Sequence, residues 1–218
     1  MFSIENIFFS IAEQGVSYLE FLGVIAGLGC VFLATRGRVF NFWVGYIYNI
    51  LLFLMFLQKH LYSSMLLQPI SFIINFFGHW RWTHPKKGEE NSRKLLKVTV
   101  LTNRQRAMYL LMIAAFTMVW GFFLSKLNLL WPNIFPMART PYLDAMVTGF
   151  ILLAQLLSAQ KKLDCWGVWL IVNTTNIVLY VKAGLAFLPF VCAGYIVLAF
   201  MGFFMWRKEY LSGIKNKN

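Results

Sequence analysis

Trp166, Trp169, Asn173, Asn176 and Tyr180 follow one another at spacings of 3, 4, 3 and 4. On an α-helix residues so spaced share one face. Two other stretches repeat the device: Ser64, Gln68, Ser71, Asn75, Gly78 and Trp82 form one row, and Phe42, Tyr46, Asn49 and Phe53 another. The chemistry open to these rows is hydrogen bonding by neutral carboxamides, which both donate and accept, together with stacking on aromatic faces. Amides on apolar helices have two uses, as hydrogen bonds between helices or as the wall of a polar cavity. Buried carboxamides are costly without partners. Five of them (Asn49, Gln68, Asn75, Asn173, Asn176) interleaved with aromatic rings favour a cavity. Trp169 reads as a cavity wall, and Trp166 lies near the boundary of its stretch. Tyr46, Tyr180 and, in the last apolar stretch, Tyr195 are further candidates to line it, whereas Trp82 and Trp206 read as members of an interfacial aromatic belt.

What the rows lack narrows the chemistry. No Asp, Glu, Lys or Arg falls in the middle of an apolar stretch. Proton relays and ion-coupled pumps need an intramembrane carboxylate, so a coupled pump is disfavoured. A phosphorylated substrate would call for Arg or Lys at the site. The last apolar stretch has no lysine for a retinal-type linkage. His60, His79 and His84 stand near the ends of stretches and form neither a paired haem site nor a metal cluster. No cofactor is expected, and no nucleophile–base constellation marks an enzyme.

The elements that hold these rows are membrane helices. The chain is 59% hydrophobic and 13% charged, against about 25% charged in a soluble domain. Apolar stretches run near 20–35, 40–57, 64–82, 107–125, 143–159, 166–181 and 186–206. Of the 20 Lys and Arg residues, 16 fall on alternate connections: Arg36 and Arg38, the eight from Arg81 to Arg106, Lys161 and Lys162, and four in the tail from Arg207. Lys59, Lys126, Arg139 and Lys182 occupy the others. This asymmetry predicts an outside N-terminus and a cytoplasmic C-terminus, hence an odd number of spans. The net charge of +12 is then a matter of topology, and no nucleic-acid partner is expected. The basic segment 83–106 reads as a cytoplasmic linker held near anionic lipid. Phe2, Ile4, Ile7, Phe8 and Ile11 fit either an interfacial helix on the outer surface or a frayed terminus. Residues 1–18 carry no Lys or Arg, so a signal peptide is not expected. Cys30, Cys165 and Cys192 lie in or beside apolar stretches and suggest no disulfide framework.

A shift of 124 positions superposes the first three stretches on the last three. Tyr18 meets Tyr142, Glu20 meets Asp144, Asn49 meets Asn173, Gly78 meets Gly202 and Trp82 meets Trp206. Two three-span units can face the same way only if an odd number of spans separates them, and the fourth stretch, with Trp120, supplies that inversion. The expected fold is an all-α polytopic membrane protein of seven transmembrane helices in a 3+1+3 parallel tandem repeat. Its segments are an outer interfacial segment (1–18), a first three-helix repeat (19–83), a basic loop with a central linker helix (84–142), a second repeat (143–207) and a cytoplasmic tail (208–218). Gly23 and Gly27 permit close helix contact. Pro69 and Pro189 each permit a kink.

With these residues in place, the chain resembles the PnuC family of nicotinamide riboside transporters from about residue 18 to 208. The segment Trp166-Gly-Val-Trp169-Leu-Ile-Val-Asn173, then Asn176 and Tyr180, carries the likeness most directly. Trp43 and Asn49, the run Leu61 to Gln68 and the run Lys161-Lys162-Leu163 support it. The family is similar in fold to the sugar-transporting SWEET proteins, doubled with a central helix. The resemblance implies import of nicotinamide riboside, an NAD precursor, by facilitated diffusion across the bacterial inner membrane. It also implies trapping by a cytoplasmic riboside kinase and a homo-oligomer, plausibly a trimer. Such a substrate is flat, polar and cationic. Amides suit its carboxamide and hydroxyls, and aromatic faces suit the pyridinium by cation–π attraction. A sugar or thiamine-like vitamin carrier on the same scaffold, or a seven-span sensor, are the competing readings. The short tail after Arg207 offers little output element for a sensor.

Overall fold

The computed structural model describes residues 6–11, 14–58, 62–130, 140–182 and 184–215. The expectations on Phe2, Ile4, Lys59, His60, Leu61 and Arg139 lie outside them. Among the described residues a short hairpin, β1 (Ile7–Ile11) and β2 (Gln14–Ser17), precedes seven helices. These are α1 (Tyr18–Thr35), α2 (Asn41–Gln58), α3 (Tyr62–Thr83), α4 (Asn103–Leu130), α5 (Pro141–Ala159), α6 (Cys165–Lys182) and α7 (Phe187–Lys215). By length and composition, α1, α2, α4, α5 and α7 are long and apolar enough to cross a membrane. The other two, α3 and α6, carry two of the amide rows that lower their hydropathy.

From Ile7 onward the hairpin takes the place of both readings of this segment, the interfacial helix and the frayed terminus. Its strands pair antiparallel, with Ser10 opposite Gly15 and Ile11 opposite Gln14. The apolar residues between 7 and 11 satisfy a strand as well as a helix, and ring contacts decide for the strand. Phe8 sits 4.7 Å from Phe21 and 4.8 Å from Tyr18, and Phe9 sits 5.7 Å from Phe187. Gln14 ties the hairpin to the α6–α7 turn, its Nε2 donating to Gly184 O and its Oε1 accepting from Ala186 N. Ser17 and Glu20 form a capping box that starts α1, which gives Glu20 a structural use.

Six helices close into a ring. α1 packs on α2, α2 on α3, α3 on α5, α5 on α6, α6 on α7, and α7 back on α1. α4 lies outside the ring against α5 and exposes Leu111, Met118, Val119 and Phe122. Such a surface suits lipid. Several contacts recur 124 positions apart (34 to 158, 82 to 206). Trp82 Nε1 donates to Ser158 O across the α3–α5 seam at 3.2 Å, and Trp206 Nε1 donates to Ala34 O across the α7–α1 seam at 3.1 Å. Phe42 meets Trp82 edge-on at 5.0 Å, and Trp166 meets Trp206 edge-on at 5.2 Å. A Cβ on Gly78 would press on Phe42, and one on Gly202 on Trp166. The turns after α1 and α5 share a left-handed residue, Gly37 (φ 62°) and Lys161 (φ 54°), and the same pair of closing backbone bonds.

Trp82 and Trp206 are not belt residues. They are 2% and 1% exposed and meet at 5.7 Å inside the bundle. The basic α3–α4 segment is likewise more than a linker at the lipid surface. Leu96, Val98 and Leu101 are buried in the same core as the tryptophans. Leu96 N donates to Trp82 O, Leu163 N to Thr99 O, and Leu101 N to the Asp164 carboxylate. Arg106 pairs with Asp164 at 2.8 Å and holds the start of α4 against the start of α6. Pro69 lies inside α3. Pro189 stands in the first turn of α7, where an amide N–H has no helical partner, so it breaks no hydrogen bond there.

Candidate transport site

Two cavities lie inside the helix ring. The larger, about 150 Å³, is walled by α1, α2, α3, α5 and α6, with Trp206 of α7. The smaller, about 90 Å³, lies between α1, α2, α6 and α7. Val31, Tyr48, Trp166 and Trp169 belong to both, so these side chains are the partition between two compartments of one site.

The helical rows bring in part of what was expected. Asn49, Asn75, Trp166 and Trp169 line the larger compartment, and Asn173 and Tyr195 the smaller. Asn75 Nδ2 donates to Phe42 O at 3.1 Å, and Asn173 Nδ2 to Trp169 O at 2.8 Å. Each bond holds its carboxamide through the nitrogen and leaves the oxygen as the acceptor still to be used. Trp169 Nε1 reaches Ser158 Oγ at 3.3 Å. Gly27 faces the partition: a Cβ there would run into the Tyr195 hydroxyl and the Tyr48 ring.

Four expected residues line neither compartment. Tyr46 turns to the outer face of α2, hydrogen-bonded to His79 Nδ1 at 3.1 Å and against Phe72 at 4.9 Å. The cavity face of α2 runs through Asn41, Gly45 and Asn49; at about 100° per residue, Tyr46 stands a quarter-turn or more from its middle. Gln68 is buried on α3 beyond the cavity. Asn176 and Tyr180 share the face of Asn173 but lie further along α6, Tyr180 by roughly 10 Å at 1.5 Å per residue.

Sequence reasoning missed Tyr48, Gln155 and Ser158. Gln155 Oε1 and Trp166 Nε1 are buried without a hydrogen-bond partner. Both residues line the larger compartment, so an acceptor and a donor there wait for a polar guest. A fourth polar position of this kind could have been traced to Gln155 in α5. Among the described residues that line the two compartments there is no Asp, Glu, Lys or Arg.

Residues 17–208 match the model of the family described as nicotinamide mononucleotide transporter, a span that includes every element of the site. The chain belongs to this transporter family. A relative from Escherichia coli (strain K12), named nicotinamide riboside transporter PnuC, is 29% identical over 227 residues, covering 94% of this chain and 93% of its own length. A PnuC of the same name from Neisseria mucosa is 26% identical, covering 88% of this chain and 73% of its own. The crystal structure of a vitamin B3 transporter PnuC shares the fold, with a TM-score of 0.63 at 22% identity over 88% of this chain and 81% of that one. The chain is therefore a multi-pass transporter of the bacterial inner membrane and not an enzyme. In this PnuC-like transporter the two compartments between the helices form the candidate transport site.

Proposed function

We propose that this chain imports nicotinamide riboside by facilitated diffusion, with the cargo divided between the two compartments. The carrying observation is the uncharged lining of amides and aromatic rings, with the Gln155 oxygen and the Trp166 N–H buried without partners. The matching family is described by the mononucleotide and the curated relatives by the riboside. A phosphate would call for Arg or Lys, and the compartments offer none. The unused oxygens of Asn75, Asn173 and Gln155 suit the carboxamide N–H and ribose hydroxyls. Trp166 and Trp169 suit the pyridinium, by an attraction of about 0.5–2 kcal/mol. As separate spaces of about 150 and 90 Å³, the compartments are smaller than the roughly 300 Å³ at which ligand pockets begin. Their combined volume also falls short of it, so binding requires Tyr48 or Trp169 to turn out of the partition and free the space it fills.

The architecture we propose is seven spans arranged 3+1+3, the units 19–83 and 143–207 being parallel copies joined through 84–142, with the N-terminus outside. The reciprocal Trp82–Ser158 and Trp206–Ala34 bonds support it, as do the matching turns at Gly37 and Lys161. The basic connections support the orientation. A cytoplasmic riboside kinase as metabolic trap and a homo-oligomer, read as a trimer, complete the proposal and rest on family resemblance.

The test is uptake of radiolabelled nicotinamide riboside by proteoliposomes under clamped membrane potential, with nicotinamide mononucleotide, thiamine and glucose as competitors. Riboside should equilibrate and be displaced only by itself. An imposed pH step should drive no accumulation, because no carboxylate among the described residues lines either compartment. Uptake of the mononucleotide in preference to the riboside, or accumulation above equilibrium, would overturn the proposal.

A further inference from the structure

A third cavity, of about 670 Å³, lies at the end of the bundle that carries the α3–α4 segment, between that segment, the α1–α2 turn and the extension of α7. Its chemistry is the opposite of the transport site's. Arg36, Arg93, Lys97, Lys161 and Lys208 line it, against two carboxylates, Glu90 and Glu209. One of those carboxylates is already used. Glu209 Oε1 accepts from Lys161 Nζ at 2.9 Å and from Asn91 Nδ2 at 2.9 Å. Lys161 is 1% exposed and also lies over the Trp82 ring at 5.2 Å. Burial pushes its ammonium below the ordinary lysine value, and the nearby Arg93 charge pushes the same way. Lys97 donates to Gly88 O, and Arg36 stacks on Phe32 at 4.6 Å. Among the described residues, Arg36, Arg93, Lys97 and Lys208 have no carboxylate partner. The cavity is thus large, concave and left with surplus positive charge from three separate chain segments.

We propose that this cavity is a binding site for a phosphate group, carried either by a soluble mononucleotide-sized ester or by a phospholipid headgroup. Guanidinium and ammonium groups converging from different elements are what recognises phosphate. The volume lies within the range of small-molecule sites, roughly 300–1,000 Å³. The site is distinct from the transport compartments in its charge, yet adjoins the larger of them, since Trp206 is a wall of that compartment and of this cavity. In the orientation proposed above it opens to the cytoplasm.

The full chain, purified in an uncharged detergent, is titrated calorimetrically with AMP. Its thermal unfolding is measured separately in phosphatidylcholine vesicles with and without phosphatidylglycerol. AMP should bind, more weakly as salt is raised. Arg93→Gln/Lys97→Gln should weaken that binding roughly 10-fold or more, the loss of charge-assisted bonds. Arg104→Gln, on α4 outside the cavity, should not. Lys208→Gln, on the α7 extension, repeats the test from another element and serves alone if the double variant does not fold. If AMP does not bind but phosphatidylglycerol raises the unfolding temperature of the parent and not of these variants, the phosphate is a lipid's. If neither probe's effect depends on Arg93, Lys97 or Lys208, the proposal is wrong. Nicotinamide riboside uptake by the variants is followed in parallel, so failure of the transport reading leaves the phosphate result standing.

Discussion

Gln155 offers a test in which stability and affinity should move in opposite directions. Its Oε1 is buried beside the larger compartment with no hydrogen-bond partner. An unsatisfied buried acceptor costs about 1–3 kcal/mol. Gln155→Met keeps the length of the side chain and nearly the same helix propensity, but removes the oxygen. The empty transporter should therefore become more stable, by about 1 kcal/mol or more. If the riboside completes that acceptor, the variant also loses one ligand hydrogen bond, worth about 0.5–1.5 kcal/mol. In the parent, binding additionally relieves the orphaned oxygen, which places the loss toward the upper end, roughly 10-fold in Kd. Thermal unfolding in detergent reads the first quantity, and equilibrium binding of radiolabelled nicotinamide riboside reads the second. A variant that is less stable than the parent and binds the riboside equally well would refute the reasoning, because the oxygen would then be part of the helix packing.

Other consequences are equally direct. Trp82→Ala and Trp206→Ala should each lower stability by about 1–3 kcal/mol. Lipid is as apolar as the core, so the loss is packing and one indole hydrogen bond rather than water-driven burial; unchanged unfolding temperatures would return both residues to the interfacial belt. Glu209→Ala should destabilise by about 1–3 kcal/mol, because it strands the buried Lys161 charge, whereas Lys161→Met should be neutral or stabilising; a denaturant series on both variants reads the difference. With the Lys161 value lowered from 10.5 by burial, the unfolded chain binds a proton that the folded chain has released. Stability should therefore rise as pH climbs through the window below 10.5, a slope that Lys161→Met should remove. Cysteine labels near Lys59 and Lys182 should react from outside, and those near Lys87 and Lys162 only after permeabilisation; the reverse pattern would sink the proposed orientation.

The sequence by itself located the helices. All seven fall on the apolar stretches, most with ends within a few residues, because a run long enough to cross a bilayer is a property of consecutive residues. The same local logic exposed the amide rows and the absence of charge among them, on which the proposed choice of riboside over mononucleotide rests. It could not decide which part of each row meets a cavity. Helical spacing places Asn173, Asn176 and Tyr180 on one face, but only the neighbouring helices determine where along that face space remains, and it remains at Asn173. Tyr46 and Tyr48 are equally plausible tyrosines two positions apart; packing of α3 gave Tyr46 to His79 and left Tyr48 to the partition. Trp82 and Trp206 look like belt residues because each stands near the end of a stretch, yet each indole is drawn inward by a carbonyl 76 or 172 positions away. The orphaned oxygen of Gln155, the buried Lys161 and the surplus of positive charge around the third cavity exist only between elements distant in the chain. Tertiary structure decided them, since burial, partnership and local field are properties of what surrounds a side chain and not of its own sequence neighbours.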